Sequence, residues 1–443
     1  MTAILLAKAV VELLSPGGVA APEQKQPSEQ TNLPLARTPD GAPHVPATSL
    51  AGSLRDHLGE QATTLMGSPP AAEQITPSPL RLLGTHVEPT GTTHRTRTAV
   101  DRHRGAAAVG PLRRSEYLHP GSRITVYLQL DDPSLHDELL NALTSWTPTV
   151  GGERTTGHGR AAVVELRRRV IDLDTPHGRR TWLTGGGPEL FADTHTEPVS
   201  LPDRPEAALL LRLRWEIVDG LHIWNGDSGA NDGEGPNVSR VLRDHHDRPY
   251  VPGSTWKGVI RTRCEFILRS LGADSCAPQV SLDENDDHPS RPACGSCLIC
   301  TAFGCTGAEQ EQSRRGLLTF TDSPIDDAQV IDQPHVALDR VFGGARESHL
   351  FTHQVVQAGH LTLDVHADTN TAPEIAALLT LACHDLHHGF VGVGAATTRG
   401  LGTLRLLDDP DELAAQRSRA LATLTHSLGA AAPGDVPAAE EMR

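Results

Sequence analysis

The stretch H-V-P-A-T-S-L-A-G-S-L-R (44–55) returns as Y-V-P-G-S-T-W-K-G-V-I-R (250–261), in register and without a gap, with Val, Pro, Gly and Arg shared. Two further matches follow in the same order. T-A-V-D-R (98–102) pairs with V-A-L-D-R (336–340), and V-G-G-E-R-T-T-G-H-G (150–159) pairs with V-G-A-A-T-T-R-G-L-G (393–402). Chance produces one such match; an ordered set marks a tandem duplication with a unit of about two hundred residues, an ordinary domain size. At 443 residues the chain also exceeds what one hydrophobic core usually serves, so two related units are expected.

Each unit reads in the same order. An apolar, β-like run (3–14 or 208–218) opens it, the second alternating as a half-buried strand does. A polar loop, a helix and an irregular middle follow. Next come a strand (124–130 or 361–367), a helix (135–143 or 373–382) and a Gly-rich turn into a last strand (161–166 or 403–407). This βα…βαβ order predicts an α+β fold of two tandem ferredoxin-like, RRM-type units. The boundaries expected are a first domain at 1–171, a linker and surface segment at 172–206, and a second domain at 207–407 carrying a Cys-rich insertion at 272–306. An acidic, Ala-rich tail closes the chain at 408–443.

The formal net charge is -16, which argues against a nucleic-acid partner until the charge is mapped along the chain. Residues 95–114 hold Arg95, Arg97, Arg102, Arg104, Arg113 and Arg114 against Asp101 alone, a local basic patch. Acids gather instead at Asp283, Glu284, Asp286 and Asp287 and beyond Asp408, where they solvate loops. The apolar run Thr2–Leu14 contains Lys8 and Glu12 and lacks the length and flanks of a signal or membrane segment, so a cytoplasmic protein with no membrane partner is expected. The 23 histidines include His-His pairs at 245–246 and 387–388, but without metalloprotease spacing, and no G-x-S-x-G occurs. His384, His387 and His388 suit either a metal on one helical face or a plain amphipathic helix.

Seven cysteines, four of them within 294–305, point to metal binding rather than disulfides in such a chain. Cys294, Cys297 and Cys300 follow C-x2-C-x2-C spacing, which turns three thiolates toward one ion; Zn²⁺ is expected, with a 4Fe-4S cluster or free buried thiols as alternatives. Cys305 is the nearest fourth ligand, and Cys276 and His288 are the others available. No general base lies nearby, so the metal reads as structural. Cys264 and Cys383 read as buried small hydrophobes. In Y-V-P-G-S-T-W-K-G the Ser254–Thr255 pair reads as a helix N-cap, and the amides beyond it, with Lys257, Arg261 and Arg263, as an anion site; a capped surface helix is the plainer alternative.

V-P-G-S-T-W-K-G-V-I-R, the cysteines leading into Phe303–Gly304, R-R-G-L-L-T-F-T-D (314–322), A-L-D-R-V-F-G-G-A (337–345) and T-T-R-G-L-G (397–402) together resemble the RAMP superfamily of CRISPR-associated proteins, above all the backbone subunits of type III effector complexes. The resemblance covers 205–407 strongly and 1–170 more weakly, with Ala47 and Ala51 at the motif's Gly and Lys positions. It implies a double backbone subunit whose partners are CRISPR RNA, complementary target RNA and other effector subunits. It also implies that Ser254, Thr255, Lys257, Arg261, Arg399, Gly400 and Gly402 lie beside the guide backbone, with Arg55, Arg154 and Gly157 at the matching places of the first unit. Lys and Arg neutralise phosphates while glycines admit a close backbone approach; an ordinary turn is the alternative for Gly400 and Gly402.

The segments 337–351 and 99–113 resemble the family's thumb hairpin, which wedges into the guide–target duplex; Phe342 and Leu350 suit a wedge, with Arg340 and Arg102 beside it. Asp339–Arg340 and Asp101–Arg102 can equally be ion pairs that shape the hairpin, and the wedge residues can pack on their own sheet. In cleaving relatives an Asp in the loop after the first strand cuts target RNA. Here Asp232 is the first choice and Asp227 the second, holding Mg²⁺ or orienting the attacking 2′-hydroxyl, although the family's register falls near Val238. The first unit offers Glu23, Glu29 and Asn32 but no Asp, and is expected to position RNA without cutting it. The rival readings are an endoribonuclease that processes precursor CRISPR RNA and a non-catalytic RNA-binding scaffold.

Overall fold

The computed structural model describes residues 3–21, 23, 31–69, 74–98, 100–101, 106–107, 113–203, 208–226, 237–273, 275–276, 293–306, 313–367 and 371–428. They divide into two compact units, Met1–Arg95 with Arg113–Pro205, and Thr96–Leu112 with Glu206–Arg443.

The first part of the chain supplies β1 (Ala3–Leu13), α1 (Ala47–Leu58), α2 (Ala62–Met66), β2 (Leu80–Glu88), β3 (Thr92–Arg97), β4 (Val100–Asp101), β5 (Ala106–Ala107), β6 (Arg113–Leu118), β7 (Arg123–Leu130), α3 (His136–Ser145), β8 (Ala161–Asp172), α4 (Pro176–Thr184) and β9 (Glu197–Pro198). Five of these strands form an antiparallel sheet in the order β2-β7-β1-β8-β9. The run β1 is apolar on both faces because both are covered. Leu5, Ala7, Ala9, Val11 and Leu13 join Leu50 and Leu54 of α1 and Leu139 and Leu143 of α3 in the main core. Ile4 and Leu6, on the other face, pack with Leu190 and Phe191.

That second layer corrects the expectation for 172–206. The segment lacks helical periodicity over most of its length, yet it folds as α4, capped by the Thr175 hydroxyl accepting from the Gly178 amide at 3.0 Å, and ends in the edge strand β9 on β8. Leu190 and Phe191 make it a cover for the sheet rather than a linker.

The second part supplies β10 (Leu209–Ile217), β11 (Asn237–Ser239), β12 (Tyr250–Val251), α5 (Gly253–Ser270), α6 (Leu298–Phe303), β13 (Gly304–Cys305), β14 (Arg314–Arg315), β15 (Leu318–Phe320), β16 (Ser323–Leu338), β17 (Ala345–Ala367), α7 (Pro373–His387), β18 (Leu404–Leu406) and α8 (Pro410–Leu428). The sheet path is β12-β16-β17-β10-β18, with β11 and β15 also paired to β17. In β10, Leu213, Trp215 and Ile217 face the core, while Arg212 alternates outward and meets the Asp364 carboxylate through two hydrogen bonds of 2.7 and 2.8 Å. The acidic tail is also corrected: α8 sets Leu413, Ala420 and Leu424 into this core, a seven-then-four spacing that keeps them on one helical face. The buried cysteines Cys264 and Cys383 sit there too, with burial pushing the Cys383 thiol up to about 12.

The duplication is written in the backbone more fully than in the side chains. In each unit the loop after the first strand makes one antiparallel bridge, Gly17 with Leu118 at the end of β6 and Leu221 with Val356 of β17. The Leu35 amide donates to the Glu116 carboxylate at 3.0 Å, and the Val241 amide donates to the Gln354 side-chain carbonyl at 3.4 Å. Arg37 closes a turn onto the Gly41 carbonyl at 3.0 Å; Arg243 closes its own onto the Asp247 carbonyl at 2.7 Å. The shared motif arginine behaves alike in both. Arg55 donates to the Met66 and Gly67 carbonyls at 2.8 and 3.1 Å, and Arg261 to the Gly304 carbonyl at 3.0 Å. Gly67 and Gly304 end α2 and α6 with φ of 69° and 82°; a Cβ on Gly67 would run into the Thr76–Ser78 backbone, and one on Gly304 into the backbone of Arg314–Gly316. We expect Arg55→Ala to lower the stability of the first unit by roughly 1 to 3 kcal/mol. Gly67→Ala should lower it further, because strain and a backbone clash coincide; urea unfolding followed by circular dichroism measures both.

Candidate metal centre and nucleic-acid interface

Cys276, Cys294, Cys297 and Cys300 place their sulfurs within 4.8 Å of one another. The C-x2-C-x2-C segment enters α6, and the Cys297 sulfur caps that helix by accepting from the Cys300 amide at 3.5 Å. The Cys297 amide donates to the Cys294 sulfur at 3.3 Å, and the Cys294 amide to the Cys276 sulfur at 3.1 Å. Amides aimed at sulfur favour thiolate. They hold the Cys294 thiol down at about 6, led by the Ser296 amide, while burial pushes Cys300 up. Such a four-sulfur set can bind a metal ion, which would hold the four ligands deprotonated.

The fourth sulfur of the cluster is therefore that of Cys276 and not that of Cys305. Cys300 lies in the first turn of α6 and Cys305 beyond its last turn, on β13 against Arg314, so the helix carries the nearest cysteine in sequence away from the cluster. His288 lies outside the described residues. Cys276→Ser should remove the metal, read as about one equivalent per chain in elemental analysis of the parent protein, and lower Tm. Cys305→Ser should keep the metal.

The helix N-terminus differs from its expected form. The N-cap of α5 is Pro252, with Ser254 and Thr255 inside the first turn and no side-chain cap. The Gly253 amide donates to the Asp322 carboxylate at 3.0 Å, so a protein carboxylate already occupies an anion position there. Lys257 is half-buried, and burial, followed by the nearby Arg261 charge, lowers its ammonium to about 8. Arg261 points inward. It donates to Glu265, only 1% exposed, at 3.0 Å, and to the Gly304 carbonyl. Arg263 pairs with Asp385 at 2.7 Å and lies over the Phe266 ring at 4.4 Å. Arg261→Ala should cost about 3 to 5 kcal/mol in urea unfolding, because it leaves the Glu265 charge buried without its partner.

The two glycine loops share one conformation. Gly151, Glu153, Gly157 and Gly159 have φ of 84°, 61°, 81° and 67°; Gly394, Ala396, Gly400 and Gly402 have 89°, 60°, 88° and 90°. Between them run single 3₁₀ turns, Arg154–Thr156 and Thr397–Arg399. A Cβ on Gly159 or Gly402 would meet the carbonyl of Val150 or Val393, so neither is an ordinary open turn; at Gly400 the space is open. The register corrects one assignment. Arg154 matches Thr397, and Arg399 matches Thr156, so the two arginines sit at opposite ends of the turn. Arg399 is exposed, whereas Arg154 pairs with Asp56 at 2.9 Å.

Strands β16 and β17 form a long antiparallel hairpin, registered from Ile325–Leu361 to Leu338–Ala345. Asp339 shapes its tip by accepting from the Val341 and Phe342 amides at 2.8 and 3.1 Å, which holds its carboxyl below the usual range, the Phe342 amide first. Its carboxylate thus builds the turn. Val341 and Phe342 project from that turn 85% and 88% exposed, with Leu338 and Leu350 also exposed, rather than packing on the sheet. Arg340 is exposed at the same tip. Arg102 and the two carboxylates Asp227 and Asp232 lie outside the described residues. Val238 lies on β11 opposite Thr352; the place is held by Asn32 in the first unit, whose side-chain oxygen accepts from the Arg114 amide at 2.9 Å.

The sequence pattern of the RAMP superfamily matches residues 10–162 and 182–405, most of both units. The chain belongs to the RAMP superfamily. Among curated proteins, none matches it. Membership gives this RAMP protein a CRISPR-associated role. No helix among its described residues is long and apolar enough to cross a membrane.

Proposed function

We propose that this RAMP protein is a double backbone subunit of a type III-like CRISPR ribonucleoprotein, binding CRISPR RNA along both units. The observation that carries the reading is the repeated glycine loop, two copies of one strained backbone path within a RAMP protein. Such a path lets a phosphodiester approach the main chain, and Arg399 supplies charge at the second copy. Counting only the four central strands of each sheet in chain order, they run fourth-first-third-second, β8-β1-β7-β2 and β18-β10-β17-β16, which supports a ferredoxin-like reading of both. The β16–β17 hairpin, with its exposed Val341 and Phe342, is the candidate thumb that parts stacked nucleotides of a guide–target duplex. Four thiolates suit Zn²⁺, and a closed set of this kind is structural.

Binding of the full chain to CRISPR repeat RNA should weaken steeply with salt, and Arg399→Ala should reduce the slope of log K against log salt by about one. Binding that ignores salt would overturn the reading. Cutting of paired target RNA is a further step of the same proposal, assigned to Asp232 with Asp227 in reserve. The assembled complex with Mg²⁺ should cut once per copy of this chain, and Asp232→Ala should stop the cut while target binding persists. Cleavage of precursor transcript by the protein alone in EDTA would favour the processing enzyme instead.

A further inference from the structure

A second cluster of chemistry lies at the base of the β16–β17 hairpin, outside the metal centre. His335 and Phe351 face each other across β16 and β17 with ring centroids 5.2 Å apart, and His353 stands 4.9 Å from His335 and 5.2 Å from Phe351. His222, from the loop after β10, stacks on His353 at 5.1 Å with the rings 9° from parallel. The His222 Nδ1 donates to the Gln354 carbonyl at 2.6 Å, its Nε2 lies 3.0 Å from the Ser239 hydroxyl, and burial disfavours its charged form. His353 and His335 are half-buried. The His335 Nε2 is itself buried and finds no hydrogen-bond partner among the described residues.

Among the described residues, the charges acting on His222 and His353 are all of one sign. Arg399, from the glycine loop, opposes protonation of both His222 and His353, and the His222 and His335 imidazoles oppose that of His353. From β11 comes the neutral Ser239, from β16 the neutral Gln333 opposite His353, and Asp332 alternates to the other face of β16. No carboxylate acts on His222 or His353 among the described residues. The fold does not require the cluster. By the paired bridges, His222 corresponds to Gly18 and His353 to Ser115, while Arg399 corresponds to Thr156. The first unit builds the same backbone from two small residues and a threonine, so the imidazoles and the guanidinium are an addition to the second.

We propose that His353, stacked on His222, and Arg399 form a proton-linked site for single-stranded RNA, with a phosphodiester between these two cations and a base on the His335–Phe351 rings. Stacked rings beside clustered cations are what an unpaired strand recognises. This rests on the RNA-binding function proposed above and assigns its contact in the second unit. Burial, then His222, His335 and Arg399, keeps the His353 imidazolium disfavoured in the free protein. A phosphate arriving between the cations reverses the electrostatic part, so RNA binding takes up protons and tightens as pH falls through the histidine range. Stability of the free protein has the opposite sign. A histidine depressed in the folded state costs stability as pH drops below its ordinary value.

The test is fluorescence anisotropy of the full chain with a single-stranded RNA oligonucleotide at about pH 6 and about pH 8, at fixed ionic strength. The parent protein should bind several-fold more tightly at the lower pH, and in the His353→Gln variant the two affinities should converge. Imidazole titration of the parent by NMR, which needs no variant, should show His353 rising on RNA addition. A His353→Gln variant that keeps the parent's pH dependence, or a His353 that does not move with RNA, overturns this site while leaving the RNA-binding function standing. A parent protein that binds no RNA at either pH overturns both.

Discussion

Everything that converges in each unit depends on one close backbone contact, between the glycine loop before the last strand and the loop after the first. The Gly402 amide donates to the Gly220 carbonyl at 2.7 Å, and the Gly159 amide to the Pro16 carbonyl at 2.8 Å. A Cβ on Gly394 would lie 2.6 Å from the His222 carbonyl, and one on Gly151 would overlap the Gly18 carbonyl. Only glycine tolerates both the left-handed φ and the lack of room. The contact ties the first and last strands of the unit together and delivers the 3₁₀ turn, with Arg399 in the second unit, beside the strand that carries His353. Loosening it would separate residues that are more than a hundred positions apart in sequence.

Given that shared frame, the two units differ in what they hang on it. The second places imidazoles and a guanidinium where the first has Gly18, Ser115 and Thr156. The first instead buries Arg95 against His158 at 2.7 Å, with Tyr117 donating to Glu153 at 2.6 Å, and so ties its own glycine loop down through polar side chains. Fold and chemistry are separable here, as expected when function is carried by side chains placed on a duplicated scaffold.

The cysteines follow the same logic. All seven lie in the second half of the chain. Both units end a short helix in a left-handed glycine whose carbonyl is held by the motif arginine, Arg55 on Gly67 and Arg261 on Gly304. The first unit makes this joint with no cysteine. In the second, the four-sulfur cluster gathers Cys276 and the segment from Cys294 onto the start of α6, whose Ile299, Ala302 and Phe303 are in the core, so a bound ion would anchor the insertion to the joint. Arg261 thus has a structural duty that the sequence motif could not reveal, because a cation near a helix start reads the same whether it faces solvent or a buried Glu265.

Much was legible from sequence alone where the signal is local or periodic. The ordered repeat marked the duplication, the alternation in 209–217 marked a strand with one buried face, and C-x2-C-x2-C marked three of the four sulfur positions. Other features came only with tertiary structure. Cys276 replaced Cys305 because α6 intervenes; Asp322 took the helix amide because β15 ends beside it; residues 172–203 became a sheet cover because Ile4 and Leu6 needed one. The histidine ladder could not be read at all, since His222, His335 and His353 share no periodicity and meet only when the pleat of β16 and β17 turns alternate residues to one face. Sequence fixes which side chains exist and their local period; which distant ones share a face is decided by register, and register is set by burial of the whole sheet.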